Sequence, residues 1–213
     1  MIVIVDYGRG NLFSISQALS ILGAEYKVSE DQADLAAADG IVLPGVGAFG
    51  DAVRALERGA LVAPLRAAAS SGTPILGICL GMQLLADESS EFGSHRGLGL
   101  VPGKVRRLPA GSTRIPNVGW RRLDWDDDGT AEAAGVSPDD MVYFVHSYGF
   151  EAENSEDVVA TTEFNGEGPA AIVRRDAVVG MQFHPEKSAN TGLALINWFL
   201  NDLVKASSLI EIR

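Results

Sequence analysis

Apolar positions along the chain follow two periods. Ile2–Val5, residues 25–28 and Gly40–Leu43 are short runs rich in β-branched and aliphatic residues, and each reads as a strand. Between the first two, Leu12, Ile15, Leu19 and Leu22 recur at helical spacing behind Asn11, which can cap the helix, and Gly23 stops it. Ala33–Asp39 gives a short helix ahead of the third strand. A glycine-rich loop, Pro44–Gly50, follows that strand, and Asp51 is placed to cap the next helix. Pro74–Ile78 reads as a buried strand, after which Leu80, Leu84 and Leu85 return to helical spacing. Strands alternating with amphipathic helices predict right-handed βαβ units on a parallel sheet.

From Leu98 the pattern changes. Short strands broken by Pro102-Gly103, Pro109-Ala110-Gly111 and Pro116-Asn117 predict antiparallel hairpins. Met141–Val145 and Val158–Thr162 read as strands, and Ala170–Arg174 with Val178–Phe183 as a hairpin around Arg175-Asp176. Thr191 is placed to cap a last helix whose stripe is Leu195, Ile196, Phe199, Leu200 and Leu203. No repeat, linker or low-complexity tract interrupts the chain. The expected fold is α/β over one domain, residues 1–213, with a mostly parallel central sheet, helices on both faces and a smaller antiparallel section in the second half.

Composition narrows the partners. Of 213 residues, 46% are hydrophobic and 21% charged, an ordinary globular balance with ample chain for a core. A net charge of −11 argues against nucleic acid or an anionic membrane as partner. No signal peptide is visible, because the opening apolar run meets Asp6 too soon, and the most apolar stretch, Pro74–Ala86, is too short to span a membrane. One cysteine excludes an internal disulfide and fits a reducing compartment, so a soluble cytoplasmic protein is expected. Seven of the 17 basic residues lie between Arg96 and Arg122 with no acid among them, and Asp124–Asp128 then reverses the sign, as a mobile acidic tip would.

That single thiol sits in the most informative stretch. Gly77-Ile78-Cys79-Leu80-Gly81 joins a strand to a helix as a nucleophile elbow with cysteine in place of serine. The helix N-terminus there favours thiolate, although a lone cysteine also serves as a small core filler. Pro44–Gly50 lacks the residues of a phosphate-binding loop, which leaves a tight turn or a cradle of N–H groups for an oxyanion. In Phe183-His184-Pro185-Glu186, proline pushes His184 into extended backbone, and two-residue spacing puts His184 and Glu186 on one face. There a carboxylate can orient an imidazole that takes a thiol proton, or the pair is simply a strand end and a surface acid. His95 reads as surface, and His146 ends an apolar strand where it can line a cleft. Three scattered histidines and one cysteine lack metal-ligand spacing, so neither metal nor cofactor is expected.

Together, Gly77–Gln83 and Phe183–Glu186 resemble the class-I glutamine amidotransferases, a flavodoxin-like α/β fold with a Cys-His-Glu triad. Within that class, Asp6–Leu12, Leu43–Phe49, Val118–Trp120, Phe144–Tyr148 and His184–Ser188 look like the glutaminase subunits of imidazole glycerol phosphate synthases, over residues 1 to about 204. The resemblance implies glutamine hydrolysis by Cys79, His184 and Glu186. It implies oxyanion donors from Val46 or Gly47 and Leu80, and glutamine held by Gly45, Gln83, Glu91, His146, Ser147 and Tyr148. The implied partner is a (β/α)8-barrel cyclase subunit that takes the ammonia in histidine biosynthesis, met through Asn11, Asn117, Trp120 and Lys187. Asn117 departs from the histidine usual in its block, which leaves open a paralogous subunit feeding a surface-sugar amidotransferase. A non-catalytic module of the same fold is the other alternative. Glycines on both sides of Val46 allow its peptide to turn, so the oxyanion donor is expected to be set by the partner.

Overall fold

The computed structural model describes residues 1–126 and 128–210. Strands β1 (Ile2–Val5), β2 (Tyr26–Ser29), β3 (Gly40–Leu43) and β4 (Ile75–Ile78) alternate with helices α1 (Leu12–Ile21), α2 (Gln32–Ala36), α3 (Phe49–Arg58) and α4 (Val62–Ser70), and α5 (Leu80–Leu84) follows β4. Then come β5 (Glu88–Ser89), β6 (His95–Arg96), β7 (Gly103–Arg107), β8 (Asn117–Arg122), β9 (Asp124–Trp125) and α6 (Asp128–Ala134). The rest comprises β10 (Met141–His146), β11 (Tyr148–Ala152), β12 (Val158–Thr161), β13 (Ala170–Arg175), β14 (Val178–Met181) and α7 (Ala189–Trp198), with a π-helical segment Phe199–Val204 leading into α8 (Lys205–Ile210).

The large sheet runs β2-β1-β3-β4-β14-β13-β11-β7-β5-β6, with β12 and β9 branching from β13. From β2 to β14 every pairing is parallel, and beyond β14 the pairings are antiparallel save β5 with β7. β1, β3, β4 and β14 are buried at all four positions, as strands covered on both faces must be. Their residues alternate between two cores. Ile4, Val42, Leu76 and Val179 pack with Ile15 and Leu19 of α1 and Leu195 of α7, while Val3, Ile41, Ile75 and Val178 pack with Leu56 of α3 and Leu65 of α4.

The structure revises several expectations. The antiparallel strands of the second half are not successive hairpins, since β7 pairs with β11 and β8 with β10, each across a long stretch of chain. β14 does close a hairpin with β13, but it also pairs in parallel with β4 and so joins the two halves. Asp124 and Trp125 are not a loop tip: they pair with Thr161 and Ala160; Asp127 lies outside the described residues. α7, which carries Leu195 and Ile196 of the expected stripe, begins at Ala189 rather than after Thr191. α3 begins at Phe49, two residues before Asp51, and the Phe49 N–H donates to the Glu91 carboxylate at 2.6 Å. His95 is half-buried, its ring packed against Gly50. Among the described residues no helix is long and apolar enough to cross a membrane.

Candidate active site

Three neighbouring parallel strands, β3, β4 and β14, end at one edge of the sheet, where open α/β sheets bind ligands. After β4, Cys79 turns at φ 55° and ψ −111° into α5. That strained geometry for a residue with a Cβ is the mark of a nucleophile elbow. Glycine is demanded on both sides: a Cβ on Gly81 would lie 1.9 Å from the Leu43 carbonyl oxygen, and one on Gly77 2.7 Å from the Gly81 carbonyl oxygen. In the loop after β3, Gly45 is packed against the elbow, where a Cβ would lie 2.7 Å from the Gly81 nitrogen. Gly47 alone in this loop has positive φ, +97°. The freedom expected on both sides of Val46 therefore has a conformational basis on one side only, since Gly45 is there for close approach. The Val46 side chain is half exposed at the cleft, and among the described residues no hydrogen bond engages its N–H.

β14 is in register with β4, Met181 beside Ile78 and Gly180 beside Gly77, and the Cys79 N–H donates to the Met181 carbonyl at 2.7 Å. The chain past β14 thus runs alongside the elbow and brings His184 to Cys79. His184 is extended, but Pro185–Lys187 folds into a single 3-10 turn, so the turn rather than strand alternation presents Glu186 to the ring. Glu186 Oε1 lies 2.8 Å from His184 Nδ1, with both side chains buried. A carboxylate oxygen only accepts, so Nδ1 carries a proton and Nε2 is left to exchange one with the thiol. Burial alone would lower the pKa of His184, but hydrogen bonds to Cys79 and Glu186 and their charges overcome it and hold the ring at about 9. Ser188 supports the turn, donating through Oγ to the His184 carbonyl at 2.7 Å and accepting from the Tyr143 N–H at 2.9 Å.

Val46, Gly47, Cys79, Leu80, Gln83, Glu91, His146, Ser147, Tyr148, His184 and Lys187 together line one cleft of about 460 Å³, with Pro116 and Val145. Of the expected residues, Gly45 stays behind the loop, packed on the elbow. On the far wall, His146 Nδ1 and Gln83 Nε2 both reach the Tyr148 carbonyl oxygen, at 2.9 and 2.8 Å. His146 Nε2 faces Asn117 Nδ2 at 2.9 Å, and the Arg121 Nε–H donates to Asn117 Oδ1. Burial pulls the His146 pKa down to about 4, so the ring is neutral. Asn117 was expected at a partner surface. It is instead fully buried, its amide spent between Arg121 and His146. Trp120, half exposed, and Lys187 do face outward, while Asn11 caps α1, accepting from the Ser14 N–H at 3.3 Å. Two residues beside the thiol escaped the sequence reading. One is Gln182, whose mark is a polar residue inside the apolar run ending β14. The other is Tyr7, whose hydroxyl burial and the Cys79 charge push far above its ordinary range and which donates to the Pro44 carbonyl at 2.7 Å.

The model of class-I glutamine amidotransferases matches residues 3–203. The chain belongs to that family. Relatives named imidazole glycerol phosphate synthase subunit HisH, from Desulfitobacterium hafniense and Geobacillus thermodenitrificans, are 48% and 45% identical to it, over 93% and 94% of this chain and 93% and 95% of theirs. A third, from Chlorobium chlorochromatii, is 43% identical over 92% of this chain and 97% of its own. The fold is shared with solved structures, one a glutamine amidotransferase (TM-score 0.75, 21% identity, 95% of this chain and 98% of that one) and one PurLQS from Thermotoga maritima (TM-score 0.71, 23% identity, 95% and 98%). The chain therefore falls in the HisH branch of the class-I glutamine amidotransferases.

Proposed function

We propose that residues 1–213 act as one glutaminase domain, the ammonia-supplying subunit of an imidazole glycerol phosphate synthase in histidine biosynthesis. The observation that carries this reading is the line from Cys79 through His184 to Glu186 at the wall of one cleft, in a chain 41–48% identical to HisH subunits.

The geometry fits the following sequence. The Cys79 thiolate attacks the side-chain amide carbon of glutamine, and the oxygen takes the negative charge. The N–H of Leu80, next to the nucleophile, and one from Val46 or Gly47 receive that oxyanion. The His184 imidazolium gives its Nε2 proton to the amide nitrogen; the C–N bond breaks and ammonia leaves, with a thioester on Cys79. Neutral His184 then takes a proton from water, the hydroxide adds to the thioester, and collapse frees glutamate and restores thiolate and imidazolium. Glu186 keeps the proton on Nδ1 throughout. Glutamine lies against Gln83, Glu91 and the 146–148 wall.

Ammonia must reach its acceptor unprotonated, because ammonium has no lone pair. A (β/α)8-barrel cyclase subunit is therefore the partner that receives it, docked on the side where Trp120 and Lys187 face outward. The same partner, with its ribotide bound, turns the Val46 peptide into the oxyanion position, so the chain alone is nearly inactive. Asn117 gives no support to a different acceptor, because its amide is turned inward to His146.

Glutamine turnover by the chain alone, with the cyclase subunit, and with that subunit and its ribotide tests this reading. A rise of about 10²-fold or more on completing the set is expected, the worth of one oxyanion donor. Equal rates in all three would overturn the switch. Growth without histidine, restored to a deletion strain by the chain but not by Cys79→Ser, is the expected result for the acceptor; growth of the deletion strain unaided would overturn it.

A further inference from the structure

Amide orientation along the cleft wall is settled by one atom. The Tyr148 carbonyl can only accept, so Gln83, 2.8 Å away, must present its NH2 to it. The other hydrogen of that NH2 points to the Gln182 side chain at 3.0 Å, which must therefore present its oxygen. Gln182 is fully buried, and its position is fixed by backbone bonding of its N–H to the Ala171 carbonyl at 2.9 Å. With its oxygen committed to Gln83, its NH2 is left facing Cys79 Sγ at 3.8 Å. Reversing the amide would set a carbonyl oxygen against a thiolate and two NH2 groups against each other.

We infer that Gln182 is a positioning residue for the nucleophile: its side-chain N–H donates to the Cys79 sulfur, holds the thiolate in line with the cleft and stabilises its charge, with Gln83 fixing the amide's direction. The donor approaches from the β14 side, so it does not compete with the attacked carbon. Gln182 is absent from the cleft lining, which separates it from glutamine binding. This rests on the reading of Cys79 as nucleophile, and it gives Gln83 a task besides glutamine contact. The other groups that bear on the sulfur are His184, with Glu186 behind it, and the Tyr7 hydroxyl with Arg9 beside it.

Alkylation by iodoacetamide over a range of pH tests it. The chain contains one cysteine, so the cysteine adduct, located by peptide mapping, reports on Cys79 alone. Gln182→Met keeps the volume and removes the donor; its alkylation curve should move to higher pH, with the rate at pH 7 down about ten-fold, the scale of a hydrogen bond to a charged group. Gln182→Glu still accepts from Gln83 but sets a carboxylate against the sulfur, and should move the curve further. Gln83→Met, which frees the amide to turn, should move it less and decides the matter should the Gln182 variants not fold. In the complex with the cyclase subunit, kcat should fall for Gln182→Met with KM for glutamine unchanged. Curves that superimpose on that of the unaltered chain would overturn the inference, even with a lowered unfolding temperature, because a purely structural glutamine shifts stability alone. Covalent labelling by an electrophilic glutamine analogue separates the two readings. Its absence from the unaltered complex with the cyclase subunit refutes the glutaminase reading, whereas alkylation requires only the thiol.

Discussion

On the Cys79 side of the cleft, position is set by backbone contact. A single added carbon on Gly81 would sit 1.9 Å from the Leu43 carbonyl oxygen, and one on Gly45 2.7 Å from the Gly81 nitrogen. On the opposite side, the wall formed by Asn117, His146, Tyr148 and Gln83 is set by hydrogen-bond direction, with one carbonyl deciding which way two side chains face. The two histidines show the consequence. His184, beside a thiol and a carboxylate, holds its proton up to about 9, whereas His146, buried and near the positive charges of Arg121 and His184, loses it above about 4. Steric contact sets the side where a histidine is held charged; directed hydrogen bonds set the side where a histidine is held neutral.

The largest effect should come from removing the charged histidine. His184→Ala should lower glutamine turnover in the assembled complex by about 10³-fold, within the range for a general acid–base group. Glu186→Gln, which still accepts at one oxygen, should cost less, about ten-fold. An equal or greater loss for Glu186→Gln would contradict a role confined to orienting a ring that the amide can still hold.

The steric side is tested by Gly81→Ala. Relief of a 1.9 Å contact requires β3 or α5 to shift, and overpacking of this kind costs about 3 kcal/mol, read in urea unfolding. A change below about 0.5 kcal/mol would mean that the elbow has slack.

Stability should also depend on pH through both histidines, with opposite limbs. His184 is raised from 6.5 to about 9, so its contribution is complete below about 6.5 and is lost as pH rises through 9. His146 is lowered from 6.5 to about 4, so its contribution is present above 6.5 and is lost as pH falls toward 4. Each limb is about 3 kcal/mol at 1.4 kcal/mol per unit. Urea midpoints should peak near pH 6.5, with His184→Gln flattening the alkaline limb and His146→Gln the acid one; limbs unaffected by these substitutions would break the contrast between the two rings.

The smallest expected effect is on the directed wall. Asn117→Leu leaves the Arg121 Nε–H and His146 Nε2 without the amide between them, at about 2 kcal/mol in unfolding. Asn117→Asp should behave differently from Asn117→Leu, since a carboxylate faces His146 with an acceptor and would favour its protonation.

Much of the steric side was legible in the sequence because its constraints are local. β1 and β3 carry the bounds read from their apolar runs, since strands buried on both faces leave no polar position to blur them. Cys79 between glycines and His184 ahead of Pro185 announced themselves by residue type and spacing. The directed wall was not legible, because the facing of an amide depends on partners as remote as Gln83 and Gln182, 99 residues apart. For the same reason Asn117 read as a surface position, and the pairing of Asp124 with Thr161 was missed under a run of like charges. α4 is absent from the expected elements although Leu61, Leu65 and Ala68 fall on one helical face. Asp51 and Thr191 carry side chains suited to capping, but Glu91 reaches the Phe49 N–H from 42 residues away, and Ser188 stands at the N-cap of α7.

Whether Cys79 is an active nucleophile under the control of His184 is tested most directly by covalent capture. The complex is incubated with a glutamine analogue bearing an electrophilic side-chain ketone, and adduct mass, site and rate are followed together with glutamine turnover. One adduct per chain, on Cys79, forming in step with the loss of turnover and slowed at least a hundred-fold in His184→Ala, is the predicted result. Loss of turnover with no adduct on Cys79, or labelling at the same rate in His184→Ala, would contradict the account.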